Sequence, residues 1–269
     1  MQTVVLWTML PNLAFSFPAP ETRPAAATAP AATGFLYKTL TFNNETYAYC
    51  LYVPPEYTSE KPWPVILSLH GSGERGDDGF LQTDIGIARA IRRNRRLIPA
   101  LVVMPQCRPD QAWTGEMARV ALRCVEATSA EYHLDATRVY LSGLSLGGHG
   151  TWVLGAEFAH RFAALVPVSG FAELGQSTGR AEKLAPHLTN IPIWCFHGEA
   201  DTNVPVDKSR EMVAAIRRAG GNIQYTEYKG AGHNVWDRAY DDPELWKWLF
   251  AQRRTQPRTS TPATSRPTP

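Results

Sequence analysis

Gly143-Leu144-Ser145-Leu146-Gly147 is a G-x-S-x-G pattern, which frames a serine as a candidate nucleophile. Alone the pattern is weak, but here it follows the apolar run Val139–Leu141 and precedes the helix-compatible run GHGTWVLGAEF. A strand-to-helix turn would expose the serine, and its glycines avoid clashes with neighbouring backbone. A serine hydroxyl needs a base, and the base must itself be held by a third group. Downstream, the apolar run Ile191–Phe196 ends in His197-Gly198-Glu199-Ala200-Asp201. Asp201 takes the place of the orienting acid, with Glu199 as its rival. A later run ends in Gly230-Ala231-Gly232-His233, a glycine-flanked loop suited to bring His233 to the serine as base. His149, His160 and His187 fall in or beside helical segments and read as packing or surface residues.

Attack on an acyl carbon also needs donors for the tetrahedral oxyanion. The backbone N–H of Leu146, next after the serine, is the first expected donor. The second is expected from Leu69-His70-Gly71-Ser72-Gly73, directly after the apolar run Pro64–Leu69. The N–H of Ser72 is assigned there, with Gly73 as the alternative. Glu74 and Arg75 either pair with each other to fix this loop or contact a polar substrate.

These residues must be positioned by alternating strands and helices. Phe35–Phe42 and Thr46–Val53 read as an opening strand pair, closed by Pro54 and Pro55. Pro64–Leu69, Ala100–Met104, Arg138–Leu141, Ala163–Val168, Ile191–Phe196 and Ile223–Tyr228 are further strands. Met117, Val120, Ala121, Cys124 and Val125 recur at helical spacing, and Asp242-Pro243 starts a capped helix. Such alternation predicts an α/β fold, a mostly parallel central sheet with helices on both faces. Its ligand site should lie beyond the carboxyl ends of the strands, where the reactive residues fall.

The predicted catalytic domain spans residues 34–254. Residues 1–33 are expected to be a disordered or signal-like segment, and residues 255–269 a disordered Thr/Pro-rich tail. The apolar run after Thr3 favours a secreted or periplasmic location over the cytoplasm, although no Lys or Arg precedes Arg23. It is too short for stable membrane insertion. A net charge of +2 gives no global reason to expect nucleic acid. Arg89, Arg92, Arg93, Arg95 and Arg96 cluster and read as a solvated helix end. Of four cysteines, Cys50, Cys124 and Cys195 lie in apolar stretches, while Cys107 sits at a strand end within reach of another thiol.

Four segments carry a family resemblance: LHGSGERGDDG from Leu69, GLSLGGHGTW from Gly143, HGEADTNVP from His197 and GAGHNVWDRAY from Gly230. Together they resemble the α/β-hydrolase group of predicted carboxylesterases and peptidases. That group is related to dienelactone hydrolase, phospholipase/carboxylesterase and prolyl oligopeptidase catalytic domains. The resemblance implies an α/β-hydrolase fold, a Ser145–Asp201–His233 triad, no metal and no organic cofactor. It implies a serine carboxylesterase acting on small-molecule or polymer-linked esters of short-chain or aryl, feruloyl-like acids. A prolyl oligopeptidase-like serine peptidase and a non-catalytic scaffold are the alternatives. No propeller or lid domain fits in this length, so the pocket should be open, with Trp113, Phe171 and Trp236 placed to line it.

Overall fold

The protein is described from a computed structural model that covers residues 31–174 and 179–254. The expected tails therefore lie almost wholly outside the described residues. The chain opens with β1 (Gly34–Phe42) and β2 (Glu45–Val53), an antiparallel hairpin. Its turn is Asn43-Asn44, both at positive φ, as a two-residue hairpin turn that matches strand twist requires. Six strands follow: β3 (Trp63–Leu69), β4 (Leu101–Pro105), β5 (Leu134–Leu144), β6 (Ala164–Val168), β7 (Ile193–Gly198) and β8 (Ile223–Tyr228). They form one sheet in the order β1-β2-β4-β3-β5-β6-β7-β8, parallel from β4 to β8.

The helices are α1 (Ile87–Asn94), α2 (Gly115–Glu131), α3 (Leu146–Glu157), α4 (Arg180–Leu184), α5 (Asp207–Arg218), α6 (Trp236–Tyr240) and α7 (Pro243–Ala251). Strand residues alternate between two cores because successive side chains point to opposite faces. Leu67, Val103, Leu141 and Leu165 meet α2, α3 and α5 through Val120, Trp152 and Met212. Ile66, Val102, Tyr140 and Val166 meet α1, α6 and α7 through Ile91, Ala239 and Leu245. Burial on both faces is why these strands read as apolar runs rather than alternating ones. At α7 the Asp242 carboxylate accepts the Glu244 N–H and Pro243 occupies the first turn, as expected of that capped start.

Three expectations need correction. β5 runs from Leu134 to Leu144, not Arg138 to Leu141, because Leu134 already pairs with Trp63 of β3, ahead of a register shift that precedes Val65↔Val139. The arginine cluster is not merely a solvated helix end. Arg93 reaches Asp241 at 2.8 Å and Asp237 at 3.2 Å, and Arg89 reaches Asp237 at 3.5 Å, so α1 is clamped to α6. Cys107 meets no thiol: all four cysteines are free and buried. Burial pushes the Cys50, Cys107 and Cys195 thiols up to about 12, which leaves them inert as nucleophiles. Among the described residues, no helix is long and apolar enough to cross a membrane.

Candidate functional site

Ser145 sits alone between β5 and α3, with φ at +53°. A non-glycine residue there costs on the order of 1–2 kcal/mol, so its surroundings must hold it. Its N–H donates to the Val168 carbonyl at 2.9 Å, and its carbonyl accepts from His149 N–H at 3.0 Å. The flanking glycines are needed for close packing. A Cβ on Gly143 would stand 2.2 Å from the Gly147 carbonyl oxygen, and one on Gly147 would stand 2.0 Å from that of Leu69. The turn therefore lets α3 press directly on the end of β3.

The base arrives from the loop between β8 and α6. His233 Nε2 lies 2.9 Å from Ser145 Oγ, and His233 Nδ1 lies 2.7 Å from Asp201 Oδ2. An ionised carboxylate only accepts, so Nδ1 carries the proton and Nε2 is free to accept the serine proton. Asp201 is held in turn, because its Oδ1 accepts the N–H groups of Asn203 and Val204 at 2.9 Å each. The loop can approach because position 198 is glycine, where a Cβ would stand 2.1 Å from the Gly232 carbonyl oxygen. Glu199, the rival acid, turns away and accepts the Gly230 N–H at 2.8 Å. The structure thus brings Ser145, Asp201 and His233 together and leaves Glu199 outside.

Gly71, Ser72, Gly73 and Glu74 form the opposite wall of a cleft of about 400 Å³, which Ser145, Leu146 and His233 also line. Ser72 begins a short 3-10 turn, Ser72–Glu74. Leu146 opens α3, so its N–H sits at the positive end of that helix. Phe171 and Trp236 line the cleft together with Ile85, Leu144, Asn203 and Val204. His149 stacks on Phe171 at 4.9 Å and its Nδ1 lies 3.0 Å from the Phe171 carbonyl, so this histidine supports the cleft wall.

Trp113 does not line the cleft. It is fully buried, donates its indole N–H to the His70 carbonyl at 3.0 Å, and lies edge-on to the His70 ring at 5.0 Å. Its contacts are with His70 at the start of the Ser72 loop, and it has no exposed surface to offer the cleft. Glu74 and Arg75 do not pair either. Arg75 is drawn to the Ser72 and Gln111 carbonyls, whereas Glu74 folds inward. Glu74 Oε2 is buried without a hydrogen-bond partner among the described residues, 4.0 Å from His70 Nδ1. Burial raises the Glu74 carboxyl above the usual glutamate range.

Sequence reasoning passed over three residues. His70 accepts the Cys107 N–H on Nε2 at 2.9 Å and donates from Nδ1 to the Gly71 carbonyl at 2.6 Å. Ser169, at φ +49°, donates its hydroxyl to the His233 carbonyl at 2.9 Å. His197, fully buried, stands 3.1 Å from Asp201 Oδ2. A histidine followed by glycine at a strand end was visible twice, at His70 and His197. Nothing in the chain marked Ser169.

A sheet covered on both faces, with a tight turn after β5 and the remaining site residues on strand-end loops, is the α/β-hydrolase fold. The fold is shared with a thermostable esterase, 31% identical at TM-score 0.74 over 82% of this chain and 63% of that one. It is also shared with a feruloyl esterase module from Clostridium thermocellum solved with sinapinate, 19% identical at TM-score 0.66 over 86% and 94%. The chain belongs to the phospholipase/carboxylesterase family, whose pattern matches residues 103–242, just over half its length. Curated relatives include an uncharacterized secreted protein of Arthroderma benhamiae, 23% identical over 199 residues, and acyl-protein thioesterase 1 of Gibberella zeae, 23% identical over 109. The first match covers 63% of this chain and 21% of the relative, the second 40% and 46%. The chain therefore matches less than half the length of either.

Proposed function

We propose that this domain is a serine carboxylesterase that works through an acyl-enzyme on Ser145. The observation that carries the reading is the unbroken line from Ser145 Oγ through His233 to Asp201, with contacts of 2.9 and 2.7 Å. His233 Nε2 takes the serine proton as Oγ attacks the acyl carbon. Asp201 keeps the Nδ1–H tautomer and stabilises the imidazolium that forms. The oxyanion is met by the N–H of Leu146 and that of Ser72 or Gly73, each such donor being worth about 3 kcal/mol in the transition state. Collapse of the adduct expels the alcohol, which takes its proton from His233. Water then enters and attacks the acyl carbon as it gives a proton to His233, and collapse releases the acid while His233 returns that proton to Ser145 Oγ.

An open cleft of about 400 Å³ walled by Phe171 and Trp236 suits a short-chain or aryl acyl group better than a long lipid chain. Hydrolysis of p-nitrophenyl acetate, butyrate and octanoate by the wild type and Ser145→Ala tests the reading. The wild type should favour the shorter esters, and Ser145→Ala should lose at least about 10⁴-fold in kcat. Equal rates in the two proteins would remove Ser145 from the mechanism. A relative named as secreted supports export of this chain, which N-terminal sequencing of the mature protein would check.

A further inference from the structure

His233 shares its carboxylate with a second histidine. His197 closes β7, and its ring has no exposed surface. Its Nε2 faces two acceptors, the Val204 carbonyl at 2.9 Å and Asp201 Oδ2 at 3.1 Å. Neither can donate, so Nε2 must carry a proton. Its Nδ1 lies 2.7 Å from Ser209 Oγ on α5. In the neutral ring Nδ1 accepts, so the Ser209 hydroxyl donates there. The Ser209 oxygen then receives the Cys195 thiol, 3.5 Å away.

We infer that His197 is a positioning residue whose Nε2–H, anchored on the Val204 carbonyl, stands close enough to Asp201 Oδ2 to set how strongly Asp201 draws a proton onto His233. The inference rests on the proposed role of Asp201 and His233. Asp201 Oδ2 accepts from His233 Nδ1 and lies 3.1 Å from His197 Nε2, whose N–H bonds the Val204 carbonyl; a carboxylate beside a second N–H dipole has less charge to offer its own donor. The oxygen lies between the two rings, 2.7 Å from His233 Nδ1 and 3.1 Å from His197 Nε2, and the two backbone bonds to Oδ1 fix the other end. The other titratable groups around His197 leave this arrangement undisturbed. Burial disfavours charge on the His197 ring itself and lowers its affinity for a second proton. Glu227, its register partner on β8, is engaged by Arg210 and Tyr225. Cys195 is a buried thiol held in its neutral form.

The test is to titrate the His233 ring by NMR in the wild type, His197→Leu, His197→Asn and His197→Gln, with thermal melts to identify folded variants. This readout needs no turnover, so it stands or falls apart from the esterase reading. Leucine has no donor, and the asparagine amide is too short to reach Oδ2. In both, Asp201 regains charge, and the His233 midpoint should move up by about half a pH unit or more. Glutamine places an N–H close to the lost Nε2–H and should restore the wild-type midpoint. With an active enzyme, the acid limb of kcat/KM should follow the same order. A His233 midpoint that stays put or falls in His197→Asn, or that moves as far in His197→Gln as in His197→Leu, overturns the inference.

Discussion

β3 is followed directly by His70-Gly71 and β7 ends in His197-Gly198, two buried histidines each followed by glycine, on opposite sides of the Ser145 turn. The two rings are wired differently. His70 hydrogen-bonds only backbone groups through its ring nitrogens, the Gly71 carbonyl and the Cys107 N–H, with Glu74 Oε2 4.0 Å from Nδ1. It can fix where the Ser72 loop lies, but it touches no group that changes charge in the proposed reaction. His197 meets a carboxylate, and that carboxylate meets the proposed base. A histidine bonded to backbone shapes geometry, whereas one bonded to an ionised side chain also shifts a proton equilibrium. Both residues are buried histidines followed by glycine at the carboxyl end of a parallel strand. The partner decides the role.

The sharpest way to break this comparison is to remove the His70 ring. His70→Ala should free the Ser72 loop and lower kcat by about 10²-fold, as loss of an oxyanion donor does. It should leave the NMR midpoint of His233 where it is. A shifted midpoint would mean that the two histidines are not functionally distinct.

A smaller effect concerns acid stability. Burial lowers both His70 and His149 from 6.5 to about 4. Between those values the unfolded chain binds a proton at each site and the folded chain does not, so stability falls as pH drops. This contribution is fully present above about pH 6.5 and is lost down to about pH 4. Each ring accounts for about 3 kcal/mol over that window. Urea unfolding at pH 7, 5.5 and 4.5 should show the decline, and in His70→Gln the slope with pH should be shallower by one proton. An unchanged slope would mean that His70 is charged in the native state.

The smallest effect is at Trp113. Trp113→Phe keeps most of the ring packing but strips the N–H from the His70 carbonyl. It should cost about 1–2 kcal/mol of stability and only a few-fold in kcat. A loss of activity as large as that of His70→Ala would place Trp113 directly in control of the loop.

Much of this molecule was legible along the chain. Doubly buried strands such as β3, β4 and β6 betray themselves as apolar runs, and seven of the eight strands of the described residues lay within two residues of their observed bounds. β5 was the exception, because Asp135, Thr137 and Arg138 form a polar network in its first half and interrupt the apolar signal. The reactive residue types and their order, Ser145, Asp201 and His233, were also readable, since each follows an apolar run and sits among glycines. Family patterns reinforced that reading without touching its geometry.

What lies under what was decided only in three dimensions. Trp113 and Phe171 follow strand ends in similar sequence surroundings, yet one is buried against His70 at the start of the Ser72 loop and the other faces the cleft. Glu74 and Arg75 are neighbours that part, one buried and the other held by distant carbonyls. The sequence by itself determined the alternation of elements and the residue types at their ends, because burial pattern and local backbone demands are properties of short segments. Which hydrogen-bond partner each buried polar group finds was settled by tertiary structure, since those partners come from strands and helices far apart in the chain. That is why His197 reads as part of a motif in the sequence and as a ligand of Asp201 only in the fold.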